Sequence, residues 1–299
     1  MSHASTAYKT HRERVISFMI IVALMVFLTG GYQGMGWMVY YLTHLGEGCK
    51  DPICTSLSEY AASTAQHAGF ARTILALLMV LLIGQSWISR SDYRFLAVAF
   101  GLTVVADYFL VYRNDNFLAG LGVFTVVHML YTLRHARGFA ESLLPPKRTR
   151  TLTLLSLSAA GVLLMSTAVL WWIHMKTREM SLPPPGVAVI IYLTVLSLSL
   201  WMAWGTLIRQ GFTRFSAWLI AAGMTSFYLC DVCVGMSFLL QGADTKPGSF
   251  FDNCVGFFYS PALALLAISG YRWLPAPFFR LEPGIDGGQD STLSLNPGT

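Results

Sequence analysis

Charge is what this chain has least of. Only 12% of its 299 residues are Asp, Glu, Lys or Arg, while 55% are hydrophobic and the mean hydropathy is +0.56. A soluble domain carries about twice that charged fraction. Long apolar runs recur, so the expected class is all-α: a polytopic helical membrane protein. Also missing is any small-residue cleavage pattern after the first apolar run, which follows a basic start (Lys9, Arg12, Arg14) and reads as a signal anchor and first span. The motif vocabulary of several enzyme classes is absent too. There is no Gly-rich phosphate loop, no His-Glu-x-x-His and no G-x-S-x-G elbow. Only His128 lies deep in a span, where haem b between helices calls for pairs of histidines.

What is present counts to eight candidate spans, over 15–42, 71–88, 95–112, 117–133, 151–173, 187–207, 216–240 and 253–272. The organisation expected is a cytoplasmic start (1–14), an eight-helix domain (15–273) and a flexible cytoplasmic tail rich in Pro, Gly and Ser (274–299). With the N-terminus inside, the inner segments hold 14 of the 20 basic residues, five of them between Arg134 and Arg150. That bias favours an N-in, C-in orientation. It also accounts for the net charge of +5 without a nucleic-acid partner. Cys49 and Cys54, in the outer stretch "GEGCKDPICTS", are either a disulfide or two free thiols. Cys230 and Cys233 read as small core residues, not as a metal or redox pair.

Polar residues inside the spans are fewer still, and three stand out: Asp107, His128 and Asp231. A carboxylate at the centre of a spanning helix costs roughly 2.5 to 3.5 kcal/mol on the mildest insertion scale. At 1.5 Å per residue, Asp107 lies about 8 Å below Tyr112, Asp231 about 14 Å below Leu240 and His128 about 17 Å below Phe117. One chamber is therefore expected to hold all three, with no Lys or Arg of a span beside them. Thr103, one turn before Asp107, is expected to donate to its carboxylate. Tyr131 shares a stripe with His128, Phe124 and Gly120, the glycine allowing a second helix to approach. Tyr228 lies near Asp231, and Tyr259 enters from the last span beside Ser260 and Pro261. A faint repeat relates the two regions. Each has a Gly, then an Asp, then an outer turn and a returning helix with a polar group, consistent with two parallel four-helix halves.

The stretch "FGLTVVADYFLVYRNDNFLAGLGVFTVVHMLY" resembles the YhhN-like lysoplasmalogenase family of integral membrane proteins. That family follows a Gly-Asp in one span with F-x-x-G-x-x-x-F-x-x-x-H-x-x-Y in the next, matched here by Asp107, Phe117, Gly120, Phe124, His128 and Tyr131. Its second motif is similar to "AAGMTSFYLCDVCVG", with Asp231, and a later Tyr and "LLAIS" match Tyr259 and Leu265 to Ser269. Ala106 stands where the family has Gly, and Cys230 where it has Ser. The resemblance implies hydrolysis of the vinyl ether bond of a lysoplasmalogen, a single-chain ether phospholipid held in the bilayer. Asp107 and Asp231 would be catalytic, and Thr103, His128, Tyr131, Tyr228 and Tyr259 would bind or orient. It calls for no metal and no cofactor, and it implies a bacterial inner membrane or a eukaryotic endomembrane. The residues fit that chemistry in their own right, since protonating a vinyl ether requires one carboxylic acid beside one carboxylate, as in glycosidases. Two other readings remain open: a transporter that moves protons or cations on its aspartates, and a hydrolase of another lipid bond.

Overall fold

Runs of apolar residues with almost no interior charge satisfy their backbone groups within helices, the form that a hydrocarbon solvent enforces. The computed structural model describes residues 69–83, 89–112, 116–144, 148–179, 186–209, 211–241 and 250–270, and among them the regular structure is all helical. The helices are α1 (Gly69–Leu81), α2 (Arg90–Asp107), α3 (Phe117–His135), the single turn α4 (Phe139–Ser142), α5 (Arg148–Glu179), α6 (Val187–Ile208), α7 (Arg214–Gln241) and α8 (Phe250–Ile268).

Among the described residues five segments are long and apolar enough to cross a membrane: Ser91–Leu110, Phe117–His135, Arg148–Glu179, Val187–Ile208 and Arg214–Ser237. Shorter apolar helices, Gly69–Leu81 and Cys254–Ile268, stand where the second and eighth spans were expected. The expected first span at 15–42, the segments 1–14 and 274–299, and Cys49 and Cys54 lie outside the described residues.

Neighbouring helices pack in the order α1, α2, α3, α6, α7, α8, and α8 returns to α1. Among the described residues the result is a closed ring of six helices. α5 lies against the outside of α6 and touches α7 more lightly. Its large apolar side chains face outward, with Leu157, Leu163, Leu164 and Trp171 each more than 60% exposed. Such a surface is an aggregation liability in water and an ordinary one in lipid.

Ser89 starts α2, its hydroxyl accepting from the Asp92 amide. Asp107 is the last residue of that helix before a π turn at Tyr108–Tyr112, a distortion common at functional sites. α2 and α3 meet closely because Gly120 has no side chain. A Cβ there would stand 2.6 Å from Leu110 Cγ. After α3, Gly138 turns the chain with φ of 70°. Gly211 packs on the same turn, its missing Cβ leaving room for the Arg137 carbonyl, which would otherwise lie 2.6 Å away.

One end of the ring is tied by charge. Arg134, fully buried, donates to both Asp92 oxygens at 3.1 and 3.3 Å and to Ser269 Oγ at 3.0 Å. Arg137 adds a 2.6 Å ion pair to the same carboxylate. The Asp92 charge is thus compensated twice, and α2, α3 and the end of α8 are held together.

Two substitutions test this packing. Gly120→Ala should overpack the α2–α3 seam and lower the stability of the detergent-solubilised protein by about 1 to 3 kcal/mol. An unchanged melting temperature would mean that Leu110 simply swings aside. Arg134→Met should cost about 1.5 to 3 kcal/mol, that of hydrogen bonds to a charged group, because Arg137 still pairs with Asp92.

Candidate functional site

Inside the ring the two intramembrane carboxylates sit in separate hydrogen-bonded clusters. Asp107, on α2, is 6% exposed. Its Oδ2 accepts from the Thr73 hydroxyl of α1 and, at 2.6 Å, from the Tyr259 hydroxyl of α8. Thr73 and Tyr259 also touch each other at 3.3 Å. Asp231, on α7, accepts through Oδ2 from the Tyr192 hydroxyl of α6 at 2.6 Å. It pairs at 3.1 Å with His128 Nε2 of α3. Tyr192 and His128 stand 3.3 Å apart in turn.

Phe227 lies between the clusters. Its ring meets His128 edge-on at 5.0 Å and Tyr259 at 5.8 Å. Phe124 and Tyr131 complete the aromatic packing around it, at 5.8 and 6.4 Å. The single constellation expected from helix depths is therefore two linked clusters. Their carboxylates remain within electrostatic reach of each other.

His128 and Tyr259 stand where the sequence places them, each against an aspartate. Tyr131 is fully buried and stacks on His135 at 5.8 Å. It touches the site through its ring contacts with His128 and Phe227. Two expectations are corrected. Thr103 gives its one hydroxyl proton to the Ala99 carbonyl at 2.9 Å, the back-bond to residue i−4 that competes with any outward partner. Asp107 takes Thr73 in its place. Tyr228 turns away from Asp231 and meets Ser166 Oγ at 3.1 Å. It belongs to a polar contact with α5, where Ser166 and Ser197 are 2.7 Å apart.

The expectation that no cation of a span lies near the aspartates is also overturned. Arg72, 2% exposed, adjoins Thr73 and donates to Ser260 Oγ at 2.6 Å and to the Gly256 carbonyl at 3.3 Å. Its charge acts on Asp107. Pro261 follows directly and cannot donate into this turn of α8. Arg72 adds a donor to this turn at the Gly256 carbonyl, one residue before the Phe257 carbonyl that Pro261 cannot serve.

Three residues of the site were not read from the sequence: Thr73, Tyr192 and Arg72. A signal existed for one of them. Arg72 is a cation set within the apolar run "GFARTILALLMVLL", which invites the same question as Asp107. Thr73 and Tyr192 resemble the many other hydroxyl residues of apolar helices and carry no such mark.

Cys230 is buried, with Sγ donating to the Val255 carbonyl at 3.7 Å, and Cys230, Cys233 and Cys254 are free thiols. Among the described residues no three His, Cys, Asp or Glu side chains converge as a metal site would require. The chemistry available is that of two buried carboxylates, an imidazole and two phenols.

These features define an intramembrane helical bundle with paired acidic clusters in its core. The family model of the YhhN family matches residues 68–270, a range that spans both clusters, and the chain belongs to that family. A search of curated proteins found no match, and neither did a search of solved structures.

Tyr192→Phe should remove the phenolic donor to Asp231 with little change in shape. The expected cost is about 1.5 to 3 kcal/mol, that of a hydrogen bond to a charged group. Combined with His128→Gln, the two losses should not add, because they share one acceptor. Strict additivity in thermal unfolding would mean that the cluster does not act as a unit.

Proposed function

We propose that this protein hydrolyses the vinyl ether bond of a lysoplasmalogen, releasing a fatty aldehyde and a glycerophospho-ethanolamine or glycerophospho-choline. The observation that carries this reading is the pair of carboxylates in unlike settings inside one lipid-embedded ring. Membership of the YhhN family supports it.

Each carboxylate takes a different task. Asp107 is held by two hydroxyls, those of Thr73 and Tyr259, and a hydroxyl can donate to a carboxylate or accept from a carboxylic acid. Asp231 is held by a phenol and an imidazole, a setting in which a carboxylate and a second basic group lie together, as taking a proton from water requires. Asp107 delivers its proton to the β-carbon of the vinyl ether, leaving an oxocarbenium ion. Asp231 stabilises that cation and takes a proton from the water that adds to the α-carbon. The hemiacetal so formed breaks its bond to the glycerol oxygen, which leaves as an alcohol, and the aldehyde carbonyl forms. One water is consumed: one of its protons passes by way of Asp231 to Asp107 and restores the acid, the other ends on the glycerol oxygen, and the proton that Asp107 gave stays on carbon. No cofactor enters this balance. Tyr259 and Thr73 hold Asp107 while its charge changes, and Tyr192 and His128 do the same for Asp231. Such positioning by fixed dipoles is the larger part of catalysis at charged transition states.

The substrate suits the fold. On this reading the single alkenyl chain enters between ring helices from the lipid side, and the glycerol reaches the polar side chains of the core.

The decisive assay is aldehyde release from lysoplasmenyl-ethanolamine by purified protein. In D2O the aldehyde should carry one deuterium on the carbon next to its carbonyl, the mark of carbon protonation. Asp107→Asn and Asp231→Asn should each lose at least about 10²-fold in kcat, the usual worth of a positioned acid or base. Added formate should restore part of the turnover to Asp231→Ala but not to Asp107→Ala, and the reverse pattern would exchange their roles. Wild-type protein inert across pH and head groups would end the reading.

A further inference from the structure

Polar atoms buried without partners are rare in folded proteins, and where they occur an ordered water usually serves them. Here six of them follow one seam. His128 Nδ1, the Tyr131 hydroxyl, both ring nitrogens of His135, Ser199 Oγ and Arg209 Nη1 make no hydrogen bond among the described residues. Each belongs to a side chain no more than 2% exposed.

Their placement is ordered. His128, Tyr131 and His135 form one ridge of α3, successive members three and four residues apart, and the last two rings are stacked. α3 and α6 pack side by side and run the same way, since His128 of α3 meets Tyr192 of α6 and, further along both chains, Phe139 meets Arg209. Ser199 lies seven residues after Tyr192, as His135 lies seven after His128. The two therefore stand at one level, about 10 Å along the axis from the Asp231 pair. The Arg209 guanidinium comes next. It folds back along α6, donating to the Gly205 carbonyl at 3.0 Å and the Met202 carbonyl at 2.8 Å. Beyond it lies Arg137, whose side chain is 29% exposed. Unpartnered groups thus recur at intervals of roughly 5 Å, each within reach of one or two waters.

We infer that the face of α3 turned toward α6 lines a file of water molecules running from the Arg137–Arg209 mouth to the His128–Asp231 pair. If the chain is the vinyl ether hydrolase proposed above, this file brings the one water consumed per turnover, and in that respect the inference rests on that reading. The file itself rests on the geometry alone.

Charge at the mouth makes the file selective. Among the described residues Arg134, Arg137 and Arg209 gather there against two carboxylates, Asp92, which Arg134 and Arg137 already share, and Glu141, whose Oε2 lies beside the Gly138 turn. Fixed guanidinium charge beside a narrow polar path repels hydronium and metal cations but not water, as in water-selective pores. The bias of Lys and Arg places this mouth on the cytoplasmic side. Water then enters from the aqueous side while the lipid enters through the ring wall, and the membrane is not made leaky to protons.

Radiolytic hydroxyl-radical labelling reads bound water directly, because radicals form from the water beside a side chain. In the wild-type protein in lipid nanodiscs, Tyr131 and His135 should be labelled within milliseconds. Met79 is equally buried and of a more reactive type, and it should be labelled several-fold more slowly. Ser199→Val should reduce the labelling of His135 and lower kcat several-fold with KM unchanged. Labelling of Tyr131 and His135 no faster than that of Met79 overturns the file, whatever the protein's activity. Rapid labelling in a protein that releases no aldehyde keeps the file and ends the hydrolase reading. Aldehyde release without labelling does the opposite.

Discussion

Everything in this fold is arranged around the cost of keeping two carboxyl groups out of water. An unpaired charge in hydrocarbon is expensive enough that the group must find donors or give up its charge. Asp107 and Asp231 cannot find those donors on their own helices, because backbone amides there are already used and Thr103 spends its hydroxyl on the Ala99 carbonyl. The donors have to come from other helices. That requirement draws α1 and α8 to Asp107, and α3 and α6 to Asp231. Six helices, each constrained by one of two oxygens, have little choice but to close into a ring.

The donors also follow the two halves suggested by the sequence repeat. Each aspartate accepts one bond from the helix just before it in the chain, Thr73 of α1 for Asp107 and Tyr192 of α6 for Asp231. Each accepts its second from the returning helix of the other half, Tyr259 of α8 and His128 of α3. The ring order α1, α2, α3, α6, α7, α8 repeats after three members in the same sense. Neither half completes a carboxylate site alone, so the halves are bound by the very groups that distinguish the core from ordinary apolar packing. Phe227 occupies the shared centre, touching one partner of each aspartate. A bulky ring there lets the clusters influence each other electrostatically without merging into one hydrogen-bonded network.

How much of this could be read beforehand depended on contrast. Asp107, His128 and Asp231 are legible because each breaks an apolar run, and Tyr259 because it precedes a proline in a span. The helical class and five spans follow from the same contrast. Partner identity does not. A Thr one turn before an Asp and a Thr on another helix look alike in sequence, and only packing decides that Thr73 faces the carboxylate while Thr103 faces its own backbone. Tyr228 sits three residues before Asp231, a spacing that puts both near one face of α7. Its long ring nevertheless carries the hydroxyl to Ser166 on α5. Helical spacing locates a Cβ and leaves the reach of a phenol undetermined. Arg72 breaks its run as Asp107 does and was passed over for a different reason. A cation near the end of an apolar run is usually topological, yet here it turns inward to the proline-loosened turn of α8.

The placement of positive charge bears on which intramembrane chemistry the ring suits. A carrier of protons or cations needs its aspartates to exchange ions with water on both sides, and so needs paths that welcome positive charge. The polar seam that leaves the Asp231 cluster ends among Arg134, Arg137 and Arg209, and at the other cluster Arg72 lies beside Thr73 and Tyr259. Positive charge thus flanks both aspartates along the routes that polar groups mark. Such fields raise the energy of any arriving cation. On the reading proposed above, a neutral vinyl ether and a neutral water meet no such barrier, and the one positive charge arises only transiently, against a carboxylate. Acid chemistry confined to the core is therefore the better match for aspartates so surrounded than vectorial transport of cations.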